Sequence, residues 1–152
     1  MSDLLSFDSV SPRFGLPFLF SGQAQKEFFV NEAFAKIDGL LHGTVLGIAA
    51  SEPSSPLEGD AWLVGSTPTG TWIGHANEVA MRQGGEWRFA SPIEGMSLFN
   101  TGAGQTLRWL SGSWRSPSEP ASPSGGSVVD VQARDAINAL IVALRNSGVF
   151  PI

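Results

Sequence analysis

A short sequence unit that occurs twice places the strongest constraint on the fold of this chain. Residues 56–64 (PLEGDAWLV) are matched 36 positions later by residues 92–100 (PIEGMSLFN). A second pair, GEWR at 85–88 and GSWR at 112–115, is separated by 27 positions. In the first pair a Glu-Gly turn leads into a new strand, and in the second a tryptophan follows a tight turn. Because a solenoid needs about three copies, two copies predict a duplicated β-meander.

The region from 44 to 115 shows the pattern of short strands throughout. Glycine, proline, serine and asparagine separate the candidate strands, which are 44–50, 61–65, 71–73, 78–82, 86–90, 96–100, 106–110 and 113–115. Strands this short favour a small antiparallel β-barrel or sandwich. With a helix on either side of this domain, the predicted fold class is α+β.

The first 43 residues predict an extended arm followed by a helix. Pro12, Gly15 and Pro17 prevent a long helix in residues 1–20, and Ser21 can cap a helix over 23–41 that ends near Gly43. Helical spacing places an apolar stripe on one face, which predicts that this face is packed; it consists of Val30, Ala33, Phe34, Ile37 and Leu41. Phe28 and Phe29 cannot both enter the stripe, so one of them is expected to meet the arm or a neighbouring subunit.

The last 37 residues predict a linker and a second helix. Residues 116–127 are rich in proline, serine and glycine, which is typical of a linker. A helix follows over 129–146, capped by Ser127 or Asp130 and ended by Gly148 and Pro151. Its apolar seam consists of Ala133, Ile137, Leu140 and Leu144, which follow one another at steps of four, three and four residues. This four, three, four spacing is typical of a short helical bundle. The seam packs either on the chain's own β-domain or on the same helix of other copies, and we expect the second, so that residues 128–152 form an oligomerisation helix.

The composition excludes several classes of protein. Charged residues make up 15% of the chain, against about 25% in an average protein. The net charge is −5 with only two lysines, so no electrostatic surface for nucleic acid or anionic lipid is expected. No apolar run approaches the roughly 18 residues of a membrane span, and the absence of cysteine excludes disulfides and thiolate metal sites. A surface with so few charges predicts burial in an assembly.

The residues that could carry catalysis have a simpler structural explanation. His42 and His75 do not belong to any cluster with metal-ligand spacing, so no metal or other cofactor is expected. Glu58 and Glu94 could be the acid–base pair of a glycosidase. Both occupy the same position of the repeated Pro-x-Glu-Gly turn, however, where a carboxylate can cap backbone N–H groups. We therefore expect no enzymatic activity.

Tryptophans are the residues best suited to ligand binding. All five lie between residues 62 and 114. Tryptophans near turns can stack on sugar rings, and residues 69–75 are the first place to expect this. The candidate glycan contacts are Trp72, His75, Trp87 and Trp114. The simpler interpretation, which we favour, is that these rings fill the β-core or a subunit interface.

A series of short motifs resembles a known but uncharacterised family. The motifs are LPFL at 16–19, GQAQKE at 22–27, NEA at 31–33, EGD at 58–60, GTWIGH at 70–75, GEW at 85–87, PIEG at 92–95 and GSW at 112–114. Their order over residues 14–115 resembles a domain family encoded in bacterial prophages and gene-transfer-agent clusters. Residues 133–148 are similar to the closing helix of many virion proteins.

The resemblance implies a structural component of a phage-like particle, made in the bacterial cytoplasm. In gene transfer agents such a protein is expected in the head spike, which helps the particle to adhere to capsular polysaccharide. Longer members continue beyond this module, so the brevity of this chain implies a base or adaptor that holds a separate adhesion fibre. Expected partners are further copies in a trimer or pentamer, capsid or tail proteins, and the spike or fibre protein.

Two further expectations follow from that role. The aromatic residues expected to dock on the capsid or on a neighbouring subunit are Phe14, Phe18, Phe20, Phe28 and Phe29. The alternative function is a carbohydrate-binding module of a tail or head fibre that contacts host capsular polysaccharide itself.

Overall fold

The structure, a computed structural model, describes residues 16–19 and 22–151. Its elements in chain order are α1 (Lys26–Leu41), β1 (Thr44–Val45), β2 (Ile48–Ala49), β3 (Ala61–Val64), a 3-10 helix (Gly70–Trp72), β4 (Val79–Gln83), β5 (Glu86–Ala90), β6 (Ser97–Asn100), β7 (Gln105–Leu110), β8 (Ser113–Arg115) and α2 (Val131–Asn146). The predicted α+β class is confirmed, with one helix on each side of a β-domain.

The strands form two four-stranded sheets, and the described residues contain no closed barrel. The first sheet has the order β1-β6-β7-β8 and the second has the order β2-β3-β4-β5. In each sheet three strands form an antiparallel meander, and a two-residue strand pairs in parallel with the first strand of that meander. The predicted antiparallel arrangement therefore holds for the meanders, while β1 and β2 are parallel additions.

Backbone hydrogen bonds show that the two sheets repeat the same unit. The Gly59 N–H donates to the Arg82 carbonyl at 2.9 Å, and the Gly95 N–H donates to the Trp109 carbonyl at the same distance. These donors are 36 positions apart and these acceptors 27 positions apart, as in the two sequence repeats. The predicted duplicated meander is confirmed, with one copy in each sheet.

Two strand predictions were wrong. The predicted strand 44–50 is split between the sheets, because the chain crosses from one to the other at Leu46 and Gly47. A side chain at Gly47 would lie 3.1 Å from the Trp62 ring, so glycine allows this close crossing. The predicted strand 71–73 overlaps the 3-10 helix instead, where Gly70 has φ +61° and its carbonyl accepts from the Ile73 N–H.

The main hydrophobic core is built from both sheets. Its buried side chains are Val45, Leu63, Val79, Met81, Ala90, Leu98 and Leu107. A second cluster lies on the opposite face of the second sheet, where Trp72 packs with Val64 and Ala80. Burying one large apolar side chain contributes about 1.5–3 kcal/mol, so the main core is the chief source of stability in the β-domain.

Helix α1 begins and ends close to the predicted positions. It starts at Lys26, because Gln25 has φ 54° and cannot continue a right-handed helix. It ends at Leu41, two residues before Gly43. Ser21, the predicted cap, and most of the predicted arm lie outside the described residues.

The segment before α2 is attached to the domain. Residues 116–130 contain no helix or strand. Nevertheless, Gln105 Nε2 donates to the Pro117 carbonyl at 2.5 Å. Glu119 forms a two-pronged ion pair with Arg145 of α2, with Nε–Oε2 and Nη2–Oε2 distances of 3.0 and 2.7 Å. The predicted flexible linker is therefore held at both of these points.

The end of the chain is also part of the fold. Asp130 caps α2 as predicted, with its carboxylate accepting from the Ala133 N–H at 2.9 Å. After α2 the chain reverses at Gly148, which has φ +72°. The Gly148 carbonyl then accepts from the Thr106 N–H of β7 at 2.7 Å, and Phe150 is 7% exposed. The segment after α2 is thus hydrogen-bonded to β7 of the first sheet.

Candidate functional site

Glu58 and Glu94, the candidate acid–base pair, both bind backbone N–H groups of hairpin turns. Glu58 accepts from the Gly84 and Gly85 N–H groups at 2.8 and 2.7 Å, in the turn between β4 and β5. Glu94 accepts from the Ser111 N–H at 3.0 Å, in the turn between β7 and β8. Each carboxylate therefore caps backbone N–H groups, as the turn interpretation predicted, but these groups belong to the hairpin of its own repeat, 17 to 27 positions away, and not to the Glu-Gly turn itself.

This capping role predicts unequal costs for removing the two carboxylates. A hydrogen bond to a charged group contributes about 1.5–3 kcal/mol, and less at an exposed site. Glu58 holds two N–H groups, so Glu58→Ala should lower the free energy of unfolding by about 1–3 kcal/mol. Glu94 holds one, so Glu94→Ala should cost about half as much. Glu86→Ala, at the same hairpin, is the control for urea denaturation, and an equal cost for Glu58→Ala and Glu86→Ala would contradict the capping role.

Trp72, the first candidate glycan contact, is entirely buried. Its exposure is 0%, and its ring meets the Trp87 ring edge to face with centroids 5.1 Å apart. A ring without accessible surface cannot stack on a sugar, so the prediction for Trp72 is wrong. Its role is to fasten the loop 65–78 to the outer face of the second sheet.

The other three candidates do not share one exposed platform with each other. His75 stacks on Phe89 at 3.6 Å between ring centroids, and its Nδ1 lies 2.8 Å from Glu78 Oε2. Trp87, on the same face of the sheet, donates from Nε1 to Glu52 at 2.8 Å. Trp114 packs against the core that both sheets share. His75 and Trp87 are thus half-buried on the outer face of the second sheet, whereas Trp114 lies against the shared core and donates from Nε1 to the Asn77 carbonyl at 2.9 Å.

Helix α1 carries an apolar surface on the side that the sequence predicted to be packed. Phe34, Ile37 and Leu41 are 63%, 40% and 83% exposed. The helix packs on the β-domain through a different face, where Gln83 Nε2 donates to the Ala35 carbonyl at 2.9 Å. The close approach at Gly39, where a Cβ would overlap Met81, explains the choice of face: glycine lets the helix backbone lie directly on the core.

Helix α2 leaves most of its predicted seam exposed. Ala133, Ile137 and Leu140 are exposed, the last two by 45% and 58%, and Leu144 is half-buried. The helix turns Ile141, which is 5% exposed, toward the rest of the chain. The seam is therefore a separate, adjacent face of the helix, open over its first three positions.

The predicted docking phenylalanines divide into three groups. Phe14 and Phe20 lie outside the described residues. Phe18 and Phe29 are half-buried, and Phe28 is 57% exposed with its ring edge to face against Phe29 at 5.7 Å.

The exposed surface of α1 formed by Phe34, Ile37 and Leu41 was not predicted from the sequence. Together with Val30 they have the same four, three, four spacing as the α2 seam. That shared spacing was the signal in the sequence, and it was interpreted as a core face.

The described ranges 16–19 and 22–151 contain no group of three or more His, Cys, Asp or Glu side chains that could hold a metal ion. None of their helices has the length and hydropathy that a membrane crossing requires.

The chain matches a family of known proteins. A family model described as "Protein of unknown function (DUF2793)" matches residues 30–115. The matched region runs from within α1 to the end of β8, so it contains both sheets and more than half of the chain. No curated protein matches the sequence.

Proposed function

This chain belongs to the DUF2793 family of proteins of unknown function, and we propose that it is a structural protein of a phage-like particle. In this proposal it is the base or adaptor of a head spike, which anchors an adhesion fibre for attachment to the host. Copies of the chain form a ring of three or five, α2 helices associate with one another, and α1 contacts a neighbour or the capsid.

The observation that carries the proposal is the apolar surface on both helices. Leu41 of α1 is 83% exposed and Leu140 of α2 is 58% exposed, each within a stripe of four, three, four spacing. Large apolar side chains at this spacing are typical of helix–helix contacts. Contiguous apolar patches of this kind mark interaction surfaces in soluble proteins.

Association through α2 is favoured by the lack of charge in its seam. The helix contains three ionisable side chains, Arg134, Asp135 and Arg145, and none of them occupies a seam position. Arg134 and Arg145 are engaged within the chain, by the Gly125 carbonyl and by Glu119. Several copies could therefore bring their seams together without burying an unpaired charge.

The position on the particle is supported by the sequence resemblance to prophage and gene-transfer-agent proteins. The ring would provide several weak helix contacts at once, and each contact raises the effective concentration for the next. Glu58 and Glu94, the best candidates for acid–base chemistry, already serve the two hairpins. The sequence resemblance and the use of both carboxylates in hairpin capping favour a structural role over a hydrolytic one.

The proposal predicts that the native protein is an oligomer that depends on the α2 seam. We expect size-exclusion chromatography with light scattering to give a mass of three or five chains, and Ile137→Glu with Leu140→Glu to give the monomer mass. Both side chains are exposed in the single chain, so circular dichroism should be unchanged. Val128→Glu is the control, since Val128 is 88% exposed and precedes the helix.

Two results would count against this role. One is a wild-type protein that stays monomeric at high concentration, and the other is a double variant that keeps the wild-type mass. Electron microscopy of capsid-bearing preparations then tests the location directly. Labelled protein found at capsid vertices supports a head spike, and its absence from particles overturns the proposal.

A further inference from the structure

The outer face of the first sheet carries an unusual row of side chains. Ser97, Arg108 and Arg115 lie directly opposite one another across β6, β7 and β8, and all three are exposed. We call these three residues the basic row. Like charges directly opposite each other in an antiparallel pair destabilise the sheet. A negatively charged partner would offset the repulsion between these two arginines.

Neither arginine is neutralised within the described part of the chain. Arg115 donates from Nε to Ser113 Oγ at 3.3 Å, and the side chain of Arg108 forms no hydrogen bond or ion pair with a described residue. The protein as a whole has a net charge of −5. A basic row on an acidic protein is suited to a carboxylate from outside the chain, because guanidinium groups bind carboxylates in a two-pronged geometry.

The apolar stripe of α1 has carboxylates along one edge. Glu27 precedes Phe34 by seven positions, which places both on the same side of the helix. Asp38 lies four positions after Phe34 and three before Leu41, so it borders the same stripe. Both residues are exposed and neither carboxylate forms an ion pair with a described residue, although Asp38 Oδ2 accepts a long hydrogen bond from Gln83 Nε2 of the same chain at 3.5 Å. We call Glu27 and Asp38 the acidic flank.

The basic row also has an apolar neighbour. Phe99 lies on the same face of β6, two residues after Ser97, and is 37% exposed. Long arginine side chains cover apolar surface with their methylene groups while the charged end binds a partner. The outer face of the first sheet therefore offers positive charge beside apolar surface, and α1 offers negative charge beside apolar surface.

We propose that α1 of one copy docks on the outer face of the first sheet of the next copy, with the acidic flank on the basic row and the stripe against Phe99. The two surfaces are different, so this is a heterologous contact, and such contacts close into rings when the rotation allows. The inference rests on the proposed ring. In that ring, α1 makes the contact with the adjacent copy, whereas the α2 helices of all copies associate with one another.

Charge exchange tests this contact. Arg108→Glu with Arg115→Glu, or Glu27→Arg with Asp38→Arg, should each weaken association at least about tenfold, which is typical of losing close charge pairs across an interface. Combining all four substitutions restores the opposite signs and should recover association to within about threefold of wild type. Lys26→Glu, on the other edge of α1, is the control and should change little. Association is measured by light scattering over a dilution series.

The outcomes separate this contact from the proposed function. A monomeric wild-type protein overturns both. If the wild-type protein is an oligomer and even one of the two double variants associates as tightly as wild type, the α1 contact alone is overturned. The proposed association of the α2 helices is then unaffected. Loss in both pairs without recovery in the fourfold variant also overturns it, because it would mean that the basic row and the acidic flank bind different partners. Circular dichroism of each variant confirms that the fold is retained.

Discussion

Replacing Trp72 by alanine is expected to lower the free energy of unfolding by about 3–5 kcal/mol, the range for large aromatic side chains in a core. Trp72 is 0% exposed and holds the loop 65–78 against Val64 and Ala80. The shortened side chain would leave a cavity between the loop and the sheet. Urea denaturation followed by circular dichroism measures the change.

Two further substitutions make the Trp72 prediction specific. The indole Nε1 of Trp72 has no hydrogen-bond partner among the described residues, so Trp72→Phe sacrifices no hydrogen bond and should cost clearly less than Trp72→Ala. Ile73 follows directly and is 69% exposed, so Ile73→Ala should change stability by less than about 0.5 kcal/mol. A Trp72→Ala variant no less stable than Ile73→Ala would show that the loop is not anchored by this ring.

Phe150→Ala, in the segment after α2, is expected to have an effect of similar size, about 3–5 kcal/mol. Phe150 is 7% exposed and follows the residue whose carbonyl accepts from Gln105 Nε2 at 2.9 Å. Without the ring, the C-terminal segment loses its apolar anchor on the first sheet. We expect lower stability by urea denaturation and faster hydrogen exchange at the Thr106 N–H, which donates to the Gly148 carbonyl.

The control for Phe150 is its exposed neighbour Pro151. Pro151→Ala should leave both stability and the Thr106 exchange rate nearly unchanged. If Phe150→Ala behaved in the same way, the segment after α2 would have no structural role. Because the residues after α2 bind Gln105 and Thr106 of β7, the variant Ile137→Glu with Leu140→Glu tests assembly more cleanly than a deletion of residues 128–152, which would also remove these contacts.

Local features of the fold were predicted well from the sequence. Asp130, one of the two candidate caps, begins α2 through a hydrogen bond that spans three positions, and the turn after α2 depends on the conformational freedom of Gly148. The repeat of the Glu-Gly turn indicated that Glu58 and Glu94 cap N–H groups, although the N–H groups they bind lie 17 to 27 positions away. The spacing of turns likewise gave six of the strands to within about two residues, as strand ends follow turn chemistry.

The sites were predicted less well, because burial depends on contacts distant in the chain. The Trp72 side chain is buried by Val64 and Ala80, and no local pattern shows that its loop folds back on the sheet. The α1 stripe was given the wrong orientation because Gly39 and Ala35 let the other face approach the core more closely. Hydropathy at helical spacing identifies a face and leaves open what covers it.

The amino-acid pattern alone thus determined the duplicated meander and the two flanking helices, since these follow from turn geometry and local hydrogen bonding, and the repeat indicated a structural use of Glu58 and Glu94. Only the tertiary structure decided which N–H groups these carboxylates bind, that each repeat forms its own sheet, that Trp72 is core, and that the segment after α2 binds β7. It also decided that both helices keep an apolar face outward. The physical reason is that backbone geometry is set by neighbours in sequence, whereas exposure is set by which distant surfaces pack most closely.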